Sequence, residues 1–188
     1  MAAGSRGLKG RLLIANPVLP DPNFDRTVVL LVAHQDDSGA LGLVLNRPSQ
    51  LDVGSPLPRW EPLSAEPRVV FVGGPVAPSA AICLARVVPG GAATGWTPVL
   101  GELGTLDLEQ DPDDLGDWVA QIRVFAGYAG WQPGQLEGEI EAGAWFVVDA
   151  EPSDAMADDP EQLWKQVLRR QGAALAMVAT FPPDLSSN

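Results

Sequence analysis

Apolar residues along this chain fall in short runs separated by turn-forming residues. LLIA (12–15), VVLLVA (28–33), LGLVL (41–45), VVFV (69–72), AAICLARVV (80–88), IRVFAGYAGW (122–131), WFVVD (145–149) and LAMVATF (175–181) are four to ten residues long and bounded by Gly, Pro, Asn or Asp. This pattern, rich in β-branched and aromatic residues, predicts a strand at each run. Several runs are apolar throughout, which implies cover on both faces of the sheet. Between the second and third, HQDDSGAL (34–41) predicts a hairpin turn, with Asp37, Ser38 and Gly39 supplying positive φ or side-chain-to-backbone bonds.

The period changes in three places. In ADDPEQLWKQVLRRQG (157–172), Asp159 is placed to cap a helix, Pro160 to open it and Gly172 to end it. Leu163, Trp164, Val167 and Leu168 form its apolar face, and Arg169 and Arg170 suit its C-terminal dipole. A shorter helix from Pro133 buries Leu136 and Ile140 at an i, i+4 spacing, although Gly134 and Gly138 weaken it. A third starts at Asp111 and Pro112. Many strands with few helices indicate an α+β fold. The 20 glycines and 18 prolines imply bends and bulges, hence a strongly curved sheet.

Composition adds bounds. A chain of 188 residues with 46% hydrophobic content suits one globular domain, 1–188, with 1–9 as a disordered tail. The single cysteine, Cys83, allows no internal disulfide and fits a reducing compartment; within an apolar run it reads as a small buried hydrophobe rather than a reactive thiol. No apolar run approaches the length of a membrane-spanning helix, and the N-terminal LLIA is too short for a secretory signal. The expected compartment is the cytoplasm. Net charge is −12, which disfavours direct nucleic-acid contact. The acids cluster: 102–117 holds seven and 149–161 holds six, with no base in either segment. These segments read as solvated loops, or as a docking surface for a basic partner.

Most site chemistries are absent from the pattern. One His and one Cys cannot build the usual His/Cys zinc site, and there is no P-loop, dinucleotide fingerprint or G-x-S-x-G elbow. No cofactor or metal is expected. Four features remain. In DPNFDRT (21–27), Asn23 or Asp25 can bond backbone amides, Thr27 leads into the strand, and Arg26 projects at its entrance. Arg26 either holds an anionic group or pairs with a neighbouring acid. His34 leaves the same strand; it either bonds the backbone or serves as a proton-transfer base. In LNRP (45–48), Asn46 and Arg47 return beside Arg26 if 28–33 and 41–45 pair antiparallel. Two arginines so placed need an anion or a shared acid, such as Asp21 or Asp25, between them. Finally, Gly127 and Gly130 leave room for close approach, while Tyr128 and Trp131 suit either a binding groove or tight packing.

Taken together, GRLLIANPVLPDPNFDRTVVLLVAH, GALGLVLNRP, GGPV (73–76) and RVFAGYAGWQPGQLEGEI…GAW closely resemble the AlgH/YqgE-like family of conserved bacterial proteins. The resemblance covers most of 10–48, 69–76 and 122–148. It implies a bifurcated sheet curled into a pseudo-barrel with helices around it. It brings no established catalytic residues. The family's founding name links it to regulation of alginate synthesis, so a transcriptional regulator is implied. The acidic charge and the lack of a helix-turn-helix pattern argue for one that acts without touching DNA.

The residues and the resemblance together lead to a non-enzymatic cytoplasmic binding or regulatory protein. It would engage a protein partner or a small anionic ligand through Asn23, Arg26, Thr27, His34, Asn46, Arg47, Tyr128 and Trp131. The competing expectation is a small-molecule hydrolase with His34 as base.

Overall fold

The apolar runs between Leu12 and Asp149 all become strands in the computed structural model, which describes residues 7–18, 21–91 and 94–182. In chain order these are β1 (Arg11–Ala15), β2 (Val28–Gln35), β3 (Gly39–Val44), β4 (Pro48–Asp52), β5 (Val69–Val72), β6 (Val76–Val87), β7 (Trp96–Leu100), β8 (Leu103–Leu106), β9 (Val119–Trp131) and β10 (Trp145–Asp149). They form one sheet in the order β10-β1-β2-β3-β9-β6-β8-β7. A branch leaves it at β9, where β5 pairs in parallel through Phe71 with Phe125 and carries β4 on its other side. The sheet therefore divides at β9 and curls into a half-barrel, as the resemblance implied.

Cover on both faces is visible in β2. Leu30 packs into a cluster with Leu12, Leu43 and Phe125, while Val29 and Leu31 enter a second cluster with Leu13, Ala129 and Trp131. The first is closed by helix α2 (Leu163–Arg170), through Leu163, Trp164, Val167 and Leu168. The second is closed by Leu136 of helix α1 (Gln135–Glu141). Full burial of each such leucine contributes about 2 kcal/mol. A third cluster, between β6, β8 and β9, includes Cys83, whose thiol is 1% exposed and whose pKa is pushed up by burial. That thiol is protonated and inert.

Several details differ from expectation. The run 175–181 is not a strand: Ala173–Val178 forms helix α3. Its alanines, leucine and methionine are strong helix formers. Helix α2 begins at Leu163 after a 3-10 turn at Pro160–Gln162, and Asp159 makes no capping bond. It ends at Arg170, and Gly172 instead caps α3. The helix expected from Asp111 is a 3-10 segment, Pro112–Trp118, although Asp111 does cap it by accepting from the Asp113 amide. The acidic stretch 102–117 is not all loop: Leu103 and Leu106 of β8 are buried. Arg59 holds Asp111 and Asp113 at 2.6 and 2.8 Å. In 149–161, Asp154 is buried and takes both terminal nitrogens of Arg170, each at 2.6 Å. Residues 1–6 of the expected tail lie outside the described residues, but Leu8 is anchored and packs against the second cluster. Among the described residues no helix is long and apolar enough to cross a membrane.

Candidate functional site

The β2–β3 hairpin sets the site. Ser38 donates to Gln35 Oε1 at 2.7 Å, Gly39 takes a φ of +84°, and Val29 lies opposite Val44. Continued outward, this register puts residue 26 across from residue 47. The 21–27 loop is tied locally: the Asn23 amide donates to Asp21 Oδ1 at 2.9 Å, and buried Thr27 donates its hydroxyl to Phe24 O at 2.9 Å. Asn46 fastens the mouth by accepting from the Val28 amide and donating to Arg26 O, both at 2.9 Å. The pairing thus brings Arg26, Thr27, Asn46 and Arg47 to one end of the sheet.

What the two arginines touch differs from the expected shared acid. Arg26 donates to Phe181 O at 3.2 Å and to Pro182 O, and its guanidinium lies 4.8 Å over the Trp164 ring. Arg47 donates to Pro22 O and Asp25 O, both at 3.2 Å. Among the described residues no carboxylate forms an ion pair with either arginine; Asp25 offers its carbonyl instead. Arg26 backs onto the first core cluster. Arg47 lines a cavity of about 70 Å³ with Asn23, Val44, Val72, Gly74 and Pro75. That is room for a few waters or for one carboxylate.

Glycine makes this cavity. The Gly73 amide donates to Ala126 O and its carbonyl accepts from the Val44 amide, both at 2.9 Å, so the 73–74 turn crosses β9 in contact. A Cβ on Gly74 would meet the Tyr128 carbonyl carbon at 2.1 Å. Three of the quoted motifs, DPNFDRT, LNRP and GGPV, therefore line one concavity, and a fourth, FAGYAGW, backs it. Val72, Gly74 and Pro75 were not among the expected site residues; the GGPV motif holds Gly74 and Pro75, and nothing marked Val72.

His34 is engaged from both sides. Its side chain is 3% exposed. Nδ1 accepts from the Leu8 amide at 3.1 Å, and Nε2 lies 2.6 Å from Glu137 Oε1. The Leu8 N–H assigns the ring proton to Nε2, which donates to the carboxylate. Neither nitrogen keeps a lone pair for a proton from an outside molecule, so this geometry does not serve a base. Asp36 completes a trio with ligand atoms within 4.8 Å of one another. A metal at Nε2 would require the proton on Nδ1, against the Leu8 amide.

The hydrogen bond from His34 holds the Glu137 carboxyl below the usual glutamate range. Its folded pKa is depressed, so the ionised carboxylate stabilises the fold at neutral pH. That contribution disappears as pH falls through the depressed value. Glu137→Gln is expected to lower the melting temperature slightly at neutral pH, within about 1 kcal/mol for this half-exposed group. In acid the gap from wild type should close, which a melting series against pH would record.

Tyr128 and Trp131 do not share a wall. Tyr128 packs against the first cluster, and Trp131, 6% exposed, belongs to the second. Trp131 stacks on Phe24, with ring centroids 6.2 Å apart, and Trp145 meets Phe24 edge-on at 5.5 Å. Glu139 Oε2 accepts both indole N–H groups, at 2.9 and 2.8 Å. This sealed aromatic knot leaves no groove at Trp131. Another residue absent from the expected set is Arg123, a buried cation beneath a cleft of about 590 Å³ lined by Glu66, Glu151, Asp154, Asp158 and Arg170. Its one mark in the sequence is a lone charge inside an otherwise apolar run, a feature that Arg86 shares.

Comparison with known proteins agrees with the quoted motifs. A family profile described as AlgH-like matches residues 12–176. A UPF0301 protein of Streptomyces coelicolor is 55% identical over 186 residues, covering 96% of this chain and 95% of that protein. One from Thermobifida fusca is 47% identical over 189 residues, covering 96% of each. The crystal structure of protein DIP2367 from Corynebacterium diphtheriae superposes with a TM-score of 0.88 at 32% identity, over 96% of this chain and 95% of that one. The solution structure of the AlgH protein from Pseudomonas aeruginosa gives 0.70 at 34% identity, over 97% and 98%.

Proposed function

The chain belongs to the AlgH-like family, and from that premise we propose that it is a non-enzymatic binding protein whose strand mouth receives a small anionic group. One observation carries this: Arg47 lines an open cavity and, among the described residues, meets backbone carbonyls but no carboxylate. Arg26 and Arg123 likewise bond carbonyls and, among the described residues, no carboxylate, but their guanidiniums lie over the Trp164 and Phe71 rings, whereas that of Arg47 lines the cavity. A guanidinium fork suits a carboxylate. Asn23 stands on the same wall. The cavity is too small for a nucleotide, and the engaged His34 offers no base for hydrolysis. A regulator acting without DNA contact, in the cytoplasm, is consistent with the acidic surface and the buried Cys83.

The test is isothermal titration of the full chain with sodium acetate. A single weak site, about millimolar, is expected for so small a ligand. Arg47→Ala should abolish it while melting within a few degrees of wild type. Unchanged acetate binding in Arg47→Ala would refute the assignment.

A further inference from the structure

A second cavity lies along the same face of the branch strand. Val72 lines the Arg47 cavity, and Val70, two residues earlier on β5, lines another of about 290 Å³ with Leu51, Pro56, Leu57 and Pro78. Residues two apart on a strand share a face, about 7 Å from one another. Val76 stands in the chain between Pro75, on the first cavity, and Pro78, on the second. Leu51, Val72 and Val76 are 48%, 44% and 38% exposed, three of the seven large apolar side chains exposed among the described residues. Concentration of apolar surface beside a polar rim is the mark of a docking surface.

We propose that this face binds an extended peptide segment of a partner protein, with an acidic side chain in the Arg47 cavity and an apolar side chain two residues away in the Leu51–Pro78 cavity. The proposal rests on the anion assignment above and names its source. Charge complementarity sets one end: the Arg47 guanidinium lines the cavity with no carboxylate of the described residues beside it, and an acidic side chain complements it there. The purely apolar side chains of Leu51, Pro56, Leu57 and Pro78 fix the other. An extended chain repeats side chains on one side every two residues, which matches the spacing of Val70 and Val72. Exposed Val72 separates the two subsites and makes the peptide backbone pass over β5.

The probe is a peptide, Gly-Asp-Ser-Leu-Gly, with an uncharged dansyl sulfonamide on its N-terminus and an amidated C-terminus, so that its only carboxylate is the aspartate. Anisotropy with the full chain is expected to show saturable binding. Affinity should fall about tenfold when asparagine replaces the aspartate, and about tenfold when serine replaces the leucine. Val72→Asp should also abolish binding, and because Val72 is exposed this variant keeps the wild-type melting temperature. Acetate binding with no gain from the leucine would overturn the peptide proposal and leave the anion site standing. Failure of both acetate and peptide would overturn both. Displacement of the peptide at high protein concentration, with dimers seen by sedimentation, would identify the occupant as a second copy and also overturn it.

Discussion

Replacing Arg123 by methionine is expected to cost about 3 kcal/mol of folding stability through the acceptors it orphans, read as an earlier urea midpoint with an unchanged slope. Arg123 is 2% exposed in the middle of β9. It donates to Ala155 O at 3.1 Å, to Ala157 O at 2.9 Å and to Glu66 O, and its guanidinium lies 4.3 Å over the Phe71 ring. Burial draws its pKa down to about 10, which records the cost of desolvating the cation. That cost is partly offset: Nε has no partner among the described residues, but the two terminal nitrogens tie the 64–67 segment and the 3-10 turn Pro152–Met156 to the central strand. Methionine fills similar volume but leaves the carbonyls without donors, and each orphaned group costs about 1–3 kcal/mol. Arg123→Lys is expected to recover part of the loss, since a compact ammonium keeps the charge but not the fork. Methionine at wild-type stability would show that relief of the cation's desolvation balances the lost hydrogen bonds.

The second large effect is at Gly127. Its φ is +73°, and a Cβ there would lie 2.5 Å from Gly74 O and 3.0 Å from Val76 O. Gly127→Ala therefore meets a left-handed strain of about 1–2 kcal/mol and a backbone collision that only separation of 73–76 from β9 relieves. A loss of about 3 kcal/mol or more is expected, together with loss of the acetate site, because Gly74 and Pro75 form its wall. Gly130→Ala is the control. Its Cβ would first meet Tyr128 Cε2 at 3.6 Å, an ordinary contact. A change of no more than about 1 kcal/mol is expected, in either direction. Thermal melts of the two alanine variants separate close approach from glycine content.

These two residues also mark what the sequence reveals. The apolar runs were legible because strands buried on both faces need no alternation, and Val28–Leu31 enters two clusters. Gly127 was legible as a close approach, but Gly130 was not distinguishable from it by type. The mistaken strand at 175–181 arose because a six-residue alanine-rich helix is too short to show a period. At the site, hairpin register correctly predicted that 26 and 47 return together. Their partners could not be read, because Pro22, Asp25, Phe181 and Pro182 contribute backbone carbonyls, which no residue type advertises. Arg123 was hidden for the same reason, with partners 32, 34 and 57 residues away along the chain.

The most direct measurement is an amide chemical-shift map of the isotope-labelled chain during acetate addition at constant ionic strength. Saturable shifts confined to Asn23, Val44, Arg47 and residues 72–74, lost in Arg47→Ala, are the predicted result. Shifts that grow linearly and scatter over the surface, identical in the variant, would show that the mouth of this sheet holds no anion.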